Sequence, residues 1–426
     1  MSPNEQDREV TRMVDLYFEV RRVKTLQNAW RVVKSSAQFS SSEEIRNSAN
    51  EFEADYISNL RRIQSQLKKE SFVFKPQKGI AKKRPGKVPR PLVISPIENR
   101  IVQRAILDLL QAHVPYVKDV LDVPTSFGGI KGKRVESAIL KVKEAFSDGA
   151  RFYIRSDIPS FFTKVQRAKV LDQMKPHLEE GRFYELFSSS IETTLSNLSD
   201  LNRQQLSEYF PIGVDGVAQG SPLSPLIANI YLAEFDREMN LGGISCIRYI
   251  DDFVILGRTE KEVASAFKRA TAILGRLGLT AYSPYEKNDK AAHGRVGDGF
   301  EFLGCMVTPG LVQPSKKARN TLLSKIDDEV RQARFAASHI LDGGELVSAG
   351  CYGQAISKIN RIVWGWGKSF SFCNGIHVAK GLDVKISEKL NCLDNEIRKL
   401  MSGRDYRVKL KVVGVNLLED IFSAKE

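Results

Sequence analysis

The sequence contains few cysteines, no long apolar run and no apolar leader, and each absence excludes a class of protein. The five cysteines form no CxxC pair and match no spacing of zinc ligands, which argues against a structural zinc site and a disulfide framework. We therefore expect reduced, mostly buried thiols. The first ten residues, MSPNEQDREV, are too polar for a secretory signal peptide, and no apolar stretch approaches the roughly 20 residues of a membrane span. These features predict a cytoplasmic protein without a membrane partner.

Acidic residues are also in short supply relative to basic ones. The 426 residues include 64 Lys and Arg but only 51 Asp and Glu, so the formal net charge is +13. Such an excess favours a polyanionic partner, because each phosphate that a protein cation neutralises releases a bound counterion. Hydrophobic residues make up 42% of the chain, which is enough for large cores and excludes global disorder. The length predicts two or three domains.

The chain changes character along its length. Residues 1–74 are predicted to be helical, with one helix over 16–34 and a second from about Glu43 to Lys69. Residues 311–426 are again mostly helical by pattern, and residues 75–310 mix strands with helices. The elements predicted for this middle segment are two strands joined at Pro85-Gly86, a helix over 98–114, a strand ending near Asp157, polar helices over 166–210, a turn and helix over 219–239, a hairpin over 245–256, a helix over 260–277 and a single strand over 300–307.

The strongest chemical signal is a pair of adjacent acidic residues inside an apolar hairpin. The segment SCIRYIDDFVIL (245–256) places Asp251 and Asp252 at the turn between two apolar strands. Desolvating two like charges raises the pKa of both carboxyls unless a cation neutralises them. Mg²⁺ is a cation that suits such hard oxygen ligands. An isolated Asp-Asp pair is more often a solvated turn, so the metal-site interpretation depends on two further motifs.

Asp157 and residues 219–225 (QGSPLSP) are these further motifs. Asp157 ends the strand RFYIRSD, and it could cap the turn before Pro159 or supply a carboxylate from a second strand to a pair of metal ions. In QGSPLSP, Gly220 permits a close backbone approach to a ligand, and the Ser and Pro residues suit the start of a helix. A helix cap without a ligand is the plainer alternative.

These motifs together resemble the palm of reverse transcriptases, specifically of the bacterial group II intron type. Asp157 matches the family's first metal-binding Asp, residues 219–225 match its QGxPLSP loop, and residues 249–252 match its YxDD box. Further similar stretches are the fingers segment at 83–106, palm segments at 126–139, 286–287 and 300–304, and the thumb segment at 355–370. The resemblance implies an α+β right-hand polymerase fold. It divides the chain into an N-terminal helical extension (1–74), fingers and palm (75–310), and a helical thumb with a C-terminal tail (311–426).

The activity that the resemblance implies is RNA-directed DNA polymerisation, in which two Mg²⁺ ions support transfer of a nucleotide from a dNTP to a 3′-hydroxyl. The implied catalytic residues are Asp157, Asp251 and Asp252, and the implied metal site adds Ile158. The implied nucleotide-binding residues are Lys83, Lys87, Arg90, Phe162, Gln219, Gly220 and Lys287. The implied nucleic-acid contacts are Arg100, Arg104, Tyr249, Lys316 and Lys317. The implied partners are an RNA template, a DNA product and dNTPs.

Three of the nucleotide-binding residues carry specific roles in this resemblance. Arg90 would bind the triphosphate, since a guanidinium can bind phosphate with two parallel hydrogen bonds. Phe162 would be the steric gate that excludes a ribose 2′-hydroxyl, and Lys287 would protonate the departing pyrophosphate. The alternatives are a solvated basic loop around Arg90, a core aromatic at 162 and an ordinary surface lysine at 287.

Some positions depart from the family pattern. Ile250 stands where intron-encoded relatives usually have Ala, and Ile158-Pro159-Ser160 replaces the usual run after the catalytic Asp. The sequence ends at Glu426 without a Cys/His-rich endonuclease segment. This favours a stand-alone bacterial reverse transcriptase in antiphage defence, with a dedicated non-coding RNA as template. The alternatives are a group II intron maturase or mobility enzyme without an endonuclease, an inactive nucleic-acid-binding protein, and untemplated or protein-primed synthesis. The sequence leaves the oligomeric state open.

Overall fold

The structure is a computed structural model that describes residues 14–40, 42–84, 87–178, 181–286, 289–342 and 350–423. The chain divides into two compact units, Met1–His293 and Gly294–Glu426. This boundary lies ahead of the position 310/311 predicted for the start of the thumb, and the functional names of the three predicted segments stay predictions. Among the described residues, no helix is both long and apolar enough to span a membrane.

Four helices form the start of the first unit. They are α1 (Leu16–Val20), α2 (Val23–Gln38), α3 (Glu43–Ala54) and α4 (Tyr56–Lys68). Helix α3 begins at the predicted Glu43, where the side chain of Ser42 accepts a hydrogen bond from the N–H of Ile45 and caps the helix. Helix α2 continues to Gln38 because Val33 and Ala37 extend its buried face into the serine-rich segment. The helical character predicted for this region is therefore confirmed, but each predicted helix is divided in two: the one over 16–34 is interrupted at Arg21–Arg22, and the one from Glu43 to Lys69 is interrupted at Asp55.

The rest of the first unit alternates strands and helices. Its elements are β1 (Lys78–Arg84), β2 (Lys87–Ile94), α5 (Ile97–His113), α6 (Pro115–Asp122), β3 (Ser126–Phe127), α7 (Val135–Ser147), β4 (Phe152–Asp157), α8 (Phe161–Lys164), α9 (Arg167–Met174), α10 (Arg182–Ser190), α11 (Leu198–Arg203), α12 (Ser224–Tyr231), α13 (Ala233–Met239), β5 (Ser245–Tyr249), β6 (Asp252–Gly257), α14 (Glu260–Arg276) and β7 (Ala292–Arg295), which crosses the unit boundary. Short 3₁₀ helices occur at Lys175–His177, Ser207–Tyr209 and, in the second unit, Val296–Asp298.

A five-stranded sheet with the order β3-β5-β6-β4-β7 lies at the centre of this region. Strands β5 and β6 form the predicted antiparallel hairpin, β4 pairs antiparallel with β6, and β3 pairs parallel with β5. Strand β6 is apolar because both of its faces are covered, and Phe253, Val254 and Ile255 are fully buried. The combination of many helices with a mainly antiparallel sheet confirms the predicted α+β class.

The helices predicted over 166–210 are present as α9, α10 and α11, but the first two are less polar than predicted. Its helices α9 and α10 are amphipathic, and they bury Val170, Met174, Phe183 and Phe187 in the core of the first unit. Most polar residues of these two helices are exposed or half-buried, although Arg167 and Ser190 are buried as well. The average polarity of a segment therefore does not reveal amphipathic helices, whose apolar residues recur at helical spacing.

The second unit contains a three-stranded sheet followed by long helices. Its elements are β8 (Phe300–Phe302), β9 (Cys305–Thr308), β10 (Leu311–Pro314), α15 (Lys316–Leu341), α16 (Tyr352–Ser369), α17 (Ile376–Met401), α18 (Tyr406–Val413) and α19 (Leu418–Ser423). The prediction of a single strand over 300–307 is wrong, because Leu303 and Gly304 both have positive φ angles and reverse the chain into a hairpin. The predicted helical tail is confirmed after Pro314.

Candidate active site

Backbone pairing brings Asp157 next to the acidic hairpin. Strand β4 ends at Asp157, and the Cα of Asp157 is paired with the Cα of Asp252 in the antiparallel β4–β6 ladder. The ladder continues beyond the strand end, since the N–H of Ile158 donates to the carbonyl of Asp251 at 3.1 Å. On the other side, the N–H of Tyr282 donates to the carbonyl of Asp157 at 3.2 Å. Asp157 and the distant adjacent pair Asp251-Asp252 thus share one end of the sheet.

The turn formed by residues 249–252, called the YIDD turn below, has an unusual backbone. Tyr249 and Asp252 are paired across β5 and β6, so Ile250 and Asp251 are the two central turn residues. Ile250 has a φ of +60°, a left-handed conformation that a β-branched residue rarely adopts. Such a conformation costs of the order of 1–3 kcal/mol and persists only when the surroundings hold it. The YIDD turn therefore stores strain beside two acidic residues.

Two of the three carboxyls, those of Asp251 and Asp252, have raised pKa values. Burial raises the pKa of Asp252 to about 7, with further contributions from the negative charges of Asp157 and Asp251. Burial, followed by repulsion from Asp157, also raises the pKa of Asp251. Asp157 itself is only 6% exposed. Partly desolvated carboxylates in this arrangement are stabilised by a nearby cation.

A cation that the sequence did not predict is already present. The ammonium of Lys290 forms an ion pair with Oδ2 of Asp157. Burial lowers the pKa of Lys290, but the hydrogen bond and attraction to Asp157, followed by Asp252, more than offset this effect, so the pKa is raised. Lys287, the basic residue predicted for this region, lies outside the described residues.

The donor chemistry of the site fits hard divalent cations, because carboxylate oxygens are the ligands that such ions prefer. Reverse transcriptase domains, which the sequence resembles, generally use divalent metal ions. Within the part of the chain that the structure describes, no three His, Cys, Asp or Glu side chains are already arranged around a common metal position. The ammonium of Lys290 engages Oδ2 of Asp157, one of the two carboxylate oxygens that a metal ion could use.

The nucleotide-binding candidates converge on the loop of residues 219–225. Nε of Arg90 on β2 donates to Oε1 of Gln219 at 3.2 Å, and the N–H of Val93 donates to the carbonyl of Gln219 at 2.8 Å. Gly220 has a φ of +124°, and a Cβ there would lie 2.7 Å from the carbonyl oxygen of Val93. Only glycine therefore permits this close approach of loop and strand. The positive charge of Arg90 also acts on Asp251, where it lowers the carboxyl pKa against the larger effect of burial.

Phe162 lies on the short helix α8, close to the same loop. Its ring contacts that of Phe161 with centroids 5.4 Å apart, and its carbonyl accepts a hydrogen bond of 2.7 Å from the N–H of Val217. Its side chain is partly buried at the edge of the core of the first unit. The turn before it is left-handed at Ser160, which has a φ of +53°.

The remaining predicted residues are more dispersed. Lys83 is exposed on β1, and the backbone of Lys87 begins β2. Arg100 is half-buried on α5, where burial lowers its pKa, whereas Arg104 on the same helix pairs with Asp108 at 2.7 Å. Two further predicted residues, Lys316 and Lys317, are exposed at the start of α15 in the second unit. Tyr249 ends β5 directly before the central residues of the YIDD turn.

A buried polar cluster beneath the YIDD turn was also missed from sequence. Arg248 is fully buried on β5 and forms an ion pair with Asp236 on α13, which is 3% exposed. The guanidinium of Arg248 also donates to Oγ of Ser126 at 2.6 Å and Oδ1 of Asn229 at 3.0 Å. Nη1 donates to the carbonyl of Ile250 at 2.8 Å. The available signal was a charged residue inside the apolar strand SCIRY.

Comparison with known proteins gives a family match to the region that contains the site. A family profile described as "Reverse transcriptase (RNA-dependent DNA polymerase)" matches residues 80–307, slightly more than half of the chain. Protein YkfC of Escherichia coli K12 is 28% identical over a region that covers 58% of this chain and 70% of YkfC. Group II intron-encoded protein LtrA of Lactococcus lactis subsp. cremoris is 26% identical over 42% of this chain and 28% of LtrA.

Solved structures of low similarity were found as well. A partial Cas6-RT-Cas1–Cas2 complex has a TM-score of 0.35 at 21% identity, covering 61% of this chain and 42% of that one. Telomerase from Candida albicans, in complex with a fragment of telomeric RNA, has a TM-score of 0.40 at 12% identity, covering 80% of this chain and 64% of that one. The chain thus spans less than half of the LtrA protein and of the Cas6-RT-Cas1 chain.

Proposed function

The chain belongs to the reverse transcriptase family of RNA-dependent DNA polymerases, and we propose on this premise that it extends a 3′-hydroxyl with dNTPs through Asp157, Asp251 and Asp252. Membership of this family is in accord with the predicted right-hand polymerase fold. The observation that carries the proposal for the site is the Cα pairing of Asp157 with Asp252, which places a strand-end carboxylate beside the two of the YIDD turn.

Two Mg²⁺ ions are the proposed cofactors, and the three carboxylates are their proposed ligands, together with the backbone carbonyl of Ile158. When bound, such ions lower the pKa of the attacking hydroxyl and stabilise the negative charge that develops on the leaving pyrophosphate. The protein's own contribution is to hold the carboxylates at the end of β4 and at the YIDD turn, within a partly desolvated site. The raised pKa values of Asp251 and Asp252 support this role, because a bound cation relieves the repulsion that raises them.

The incoming dNTP is proposed to bind between the β1–β2 hairpin and the loop of residues 219–225. Arg90, already oriented by Gln219, would bind phosphate oxygens, and Lys83 and Lys87 on the same hairpin would add positive charge. Gly220 would support this nucleotide site through the backbone, because its lack of a Cβ lets the loop pack against the carbonyl of Val93 on β2. Phe162 would exclude a ribose 2′-hydroxyl and so favour deoxynucleotides.

The RNA template and the DNA product are proposed to bind basic side chains of both units. Arg100 and Arg104 on α5 are the candidates in the first unit, and Lys316 and Lys317 at the start of α15 are those in the second. Tyr249, next to the central turn residues, would contact the primer end. Lys287 would supply a proton to pyrophosphate, and it lies outside the described residues.

Primer extension tests this proposal. Purified protein is incubated with an RNA template, a DNA primer, dNTPs and Mg²⁺. The expected result is product with the wild type and none with Asp251→Ala or Asp252→Ala. Asp172→Asn is the matched control, because Asp172 is an exposed aspartate on α9, away from the YIDD turn. Absence of product from the wild type on all templates, or equal product from the wild type and both alanine variants, would refute the polymerase assignment.

We further propose a role in antiphage defence with a dedicated non-coding RNA as template. This part is an analogy, since bacterial reverse transcriptases that resemble the group II type often serve in antiphage defence. Its test is to measure phage plating on cells that express the wild type or Asp251→Ala, and to sequence the RNA and cDNA that copurify with the protein. Protection that disappears in the variant, with one dominant RNA, is the expected result.

A group II intron maturase is the second candidate, and the similarity to LtrA favours it. Splicing of an intron that flanks the gene by the purified protein would support this candidate. Unchanged splicing by Asp251→Ala would fit a maturase, because splicing does not need the polymerase carboxylates.

A further inference from the structure

The YIDD turn is held in a strained conformation by contacts on both peptide groups of Ile250. The N–H of Ile250 donates to the carbonyl of Phe127 at 3.2 Å, and its carbonyl accepts from Nη1 of Arg248 at 2.8 Å. Its side chain lies against Gly128, where an added Cβ would come within 2.7 Å of Cγ1. A residue at a φ of +60° that is not glycine needs such contacts to remain there.

Arg248 is itself fixed by buried partners on three other elements. Asp236 on α13, Asn229 on α12 and Ser126 on β3 all accept hydrogen bonds from its guanidinium. All four side chains are almost completely buried. A buried arginine with this set of acceptors has one orientation, because any other would leave desolvated charges and polar groups unpaired. The position of Nη1 beneath the turn is therefore determined by the core.

The carbonyl of Ile250 belongs to the peptide group that leads directly into Asp251. The hydrogen bond from Arg248 to this carbonyl fixes the plane of the Ile250–Asp251 peptide group. The plane of this peptide group in turn determines the direction in which the side chains of Asp251 and Asp252 leave the backbone. The buried Arg248–Asp236 ion pair is thus connected to the acidic residues of the YIDD turn through one backbone atom, the carbonyl oxygen of Ile250.

We propose that Arg248, anchored by Asp236, is a positioning residue that maintains the strained YIDD turn and thereby fixes the backbone from which Asp251 and Asp252 present their carboxylates to divalent metal ions beside Asp157. This inference rests on the proposed function of these carboxylates. Its consequence is that the cluster determines metal affinity as well as stability. Partners that orient metal ligands from outside typically affect metal affinity or activity by about 10- to 100-fold.

The test measures Mn²⁺ binding to protein without nucleic acid, by calorimetric titration, alongside urea unfolding. Arg248→Lys retains the charge but cannot bind Asp236 and the Ile250 carbonyl with one planar group. We expect it to weaken Mn²⁺ binding about tenfold or more. Arg167→Lys is the matched control, since Arg167 is also buried and donates to the carbonyls of Asp215 and Gly216, away from the YIDD turn. It should lower stability and leave Mn²⁺ affinity unchanged.

Two further variants separate positioning from stability. Ile250→Gly removes the strain, because glycine adopts positive φ readily, so adding it to Arg248→Lys should restore Mn²⁺ affinity without restoring the resistance to urea. Replacing the pair by apolar residues, Asp236→Leu with Arg248→Met, should keep the fold stable but weaken Mn²⁺ binding, since buried ion pairs are often replaceable by apolar side chains.

The outcomes distinguish this inference from the proposed function. If the wild type binds Mn²⁺ and extends primers, but Arg248→Lys and the apolar pair bind Mn²⁺ as tightly as the wild type, the positioning role is refuted and the polymerase proposal stands. If the wild type neither binds Mn²⁺ nor extends a primer, the proposed function fails. If Ile250→Gly gives no recovery in the Arg248→Lys background, strain at the turn is not what Arg248 controls.

Discussion

The ammonium of Lys290 forms an ion pair with the carboxylate of Asp157, across 133 positions of sequence. Asp157 is the residue whose Cα is paired with that of Asp252 on the adjacent strand. Lys290 therefore supplies positive charge where the buried carboxyl of Asp157 meets the half-buried carboxyls of Asp251 and Asp252. A bound divalent ion would also bring positive charge to this carboxylate, so we expect lysine and metal to compete for Asp157.

This competition predicts that Lys290→Met tightens metal binding while it destabilises the metal-free protein. Without the ammonium, Asp157 is free to bind an ion, and we expect the Mn²⁺ dissociation constant to fall about threefold to tenfold, which corresponds to roughly 1 kcal/mol of interaction. The free energy of unfolding without metal should fall by about 1 kcal/mol or less, because Lys290 is 44% exposed. Calorimetric titration and urea unfolding measure the two quantities.

Lys268→Met is the control for the loss of a lysine, since Lys268 is exposed on α14. It should change neither quantity. Weaker Mn²⁺ binding in Lys290→Met than in the wild type would contradict competition and indicate that Lys290 supports the metal site.

Neutralising one carboxyl should stabilise the metal-free protein and abolish its response to metal. In Asp252→Asn, the repulsion from Asp157 and Asp251 is lost and a desolvated charge is removed. We expect the melting temperature in EDTA to rise by roughly 2 °C, equivalent to about 1 kcal/mol in a domain of this size. Mg²⁺ at about 100 times its dissociation constant should stabilise the wild type by about 2.7 kcal/mol but not the variant. Scanning calorimetry with EDTA and with Mg²⁺ gives both values, and a lower melting temperature for the variant in EDTA would argue that Asp252 has a stabilising partner.

The placement of the three acidic residues could be predicted from sequence because each follows a local rule. Asp157 ends an apolar strand before a proline, and the two acidic residues of the YIDD turn lie between apolar strands. The hairpin over 245–256 follows from this pattern. The turn at Leu303 and Gly304 was missed because FEFLGCMV is apolar apart from Glu301, so only the glycine indicated that the chain reverses there.

The supporting cations could not be assigned in the same way. Lys290 lies in a loop, and the course of that loop brings it next to Asp157. No periodic sequence pattern relates the two positions. Arg248 was visible as a charge in an apolar strand, but its partner Asp236 lies on a helix whose buried face becomes known only from tertiary packing. Buried polar partners are specified by three-dimensional proximity, which sequence spacing does not record.

Arg90 is predicted to contribute to nucleotide binding more than to metal binding. Arg90→Ala should lower kcat/KM for dNTP about 100-fold, as expected for the loss of charge-assisted hydrogen bonds of roughly 2.7 kcal/mol. Arg90→Lys should retain part of the activity, because lysine keeps the charge but not the paired hydrogen bonds. Lys82→Ala is a matched control, since Lys82 is paired with Arg90 across the β1–β2 hairpin. Steady-state kinetics with varied dNTP tests this, and equal losses in the variants at 82 and 90 would indicate a general charge effect rather than a specific contact.

Phe162 is predicted to determine the choice between deoxyribonucleotides and ribonucleotides. Phe162→Ala should raise the relative incorporation of rNTPs about tenfold or more, because a smaller side chain leaves room for a 2′-hydroxyl and each factor of ten corresponds to about 1.4 kcal/mol. Phe162→Tyr retains the ring and should keep the preference for dNTPs. Single-nucleotide extension with each substrate gives the ratio of kcat/KM values. The alternative is that Phe162 serves only in the core, where it contacts Phe161. In that case Phe162→Ala would lower stability by about 1–3 kcal/mol while the substrate ratio stays at the wild-type value.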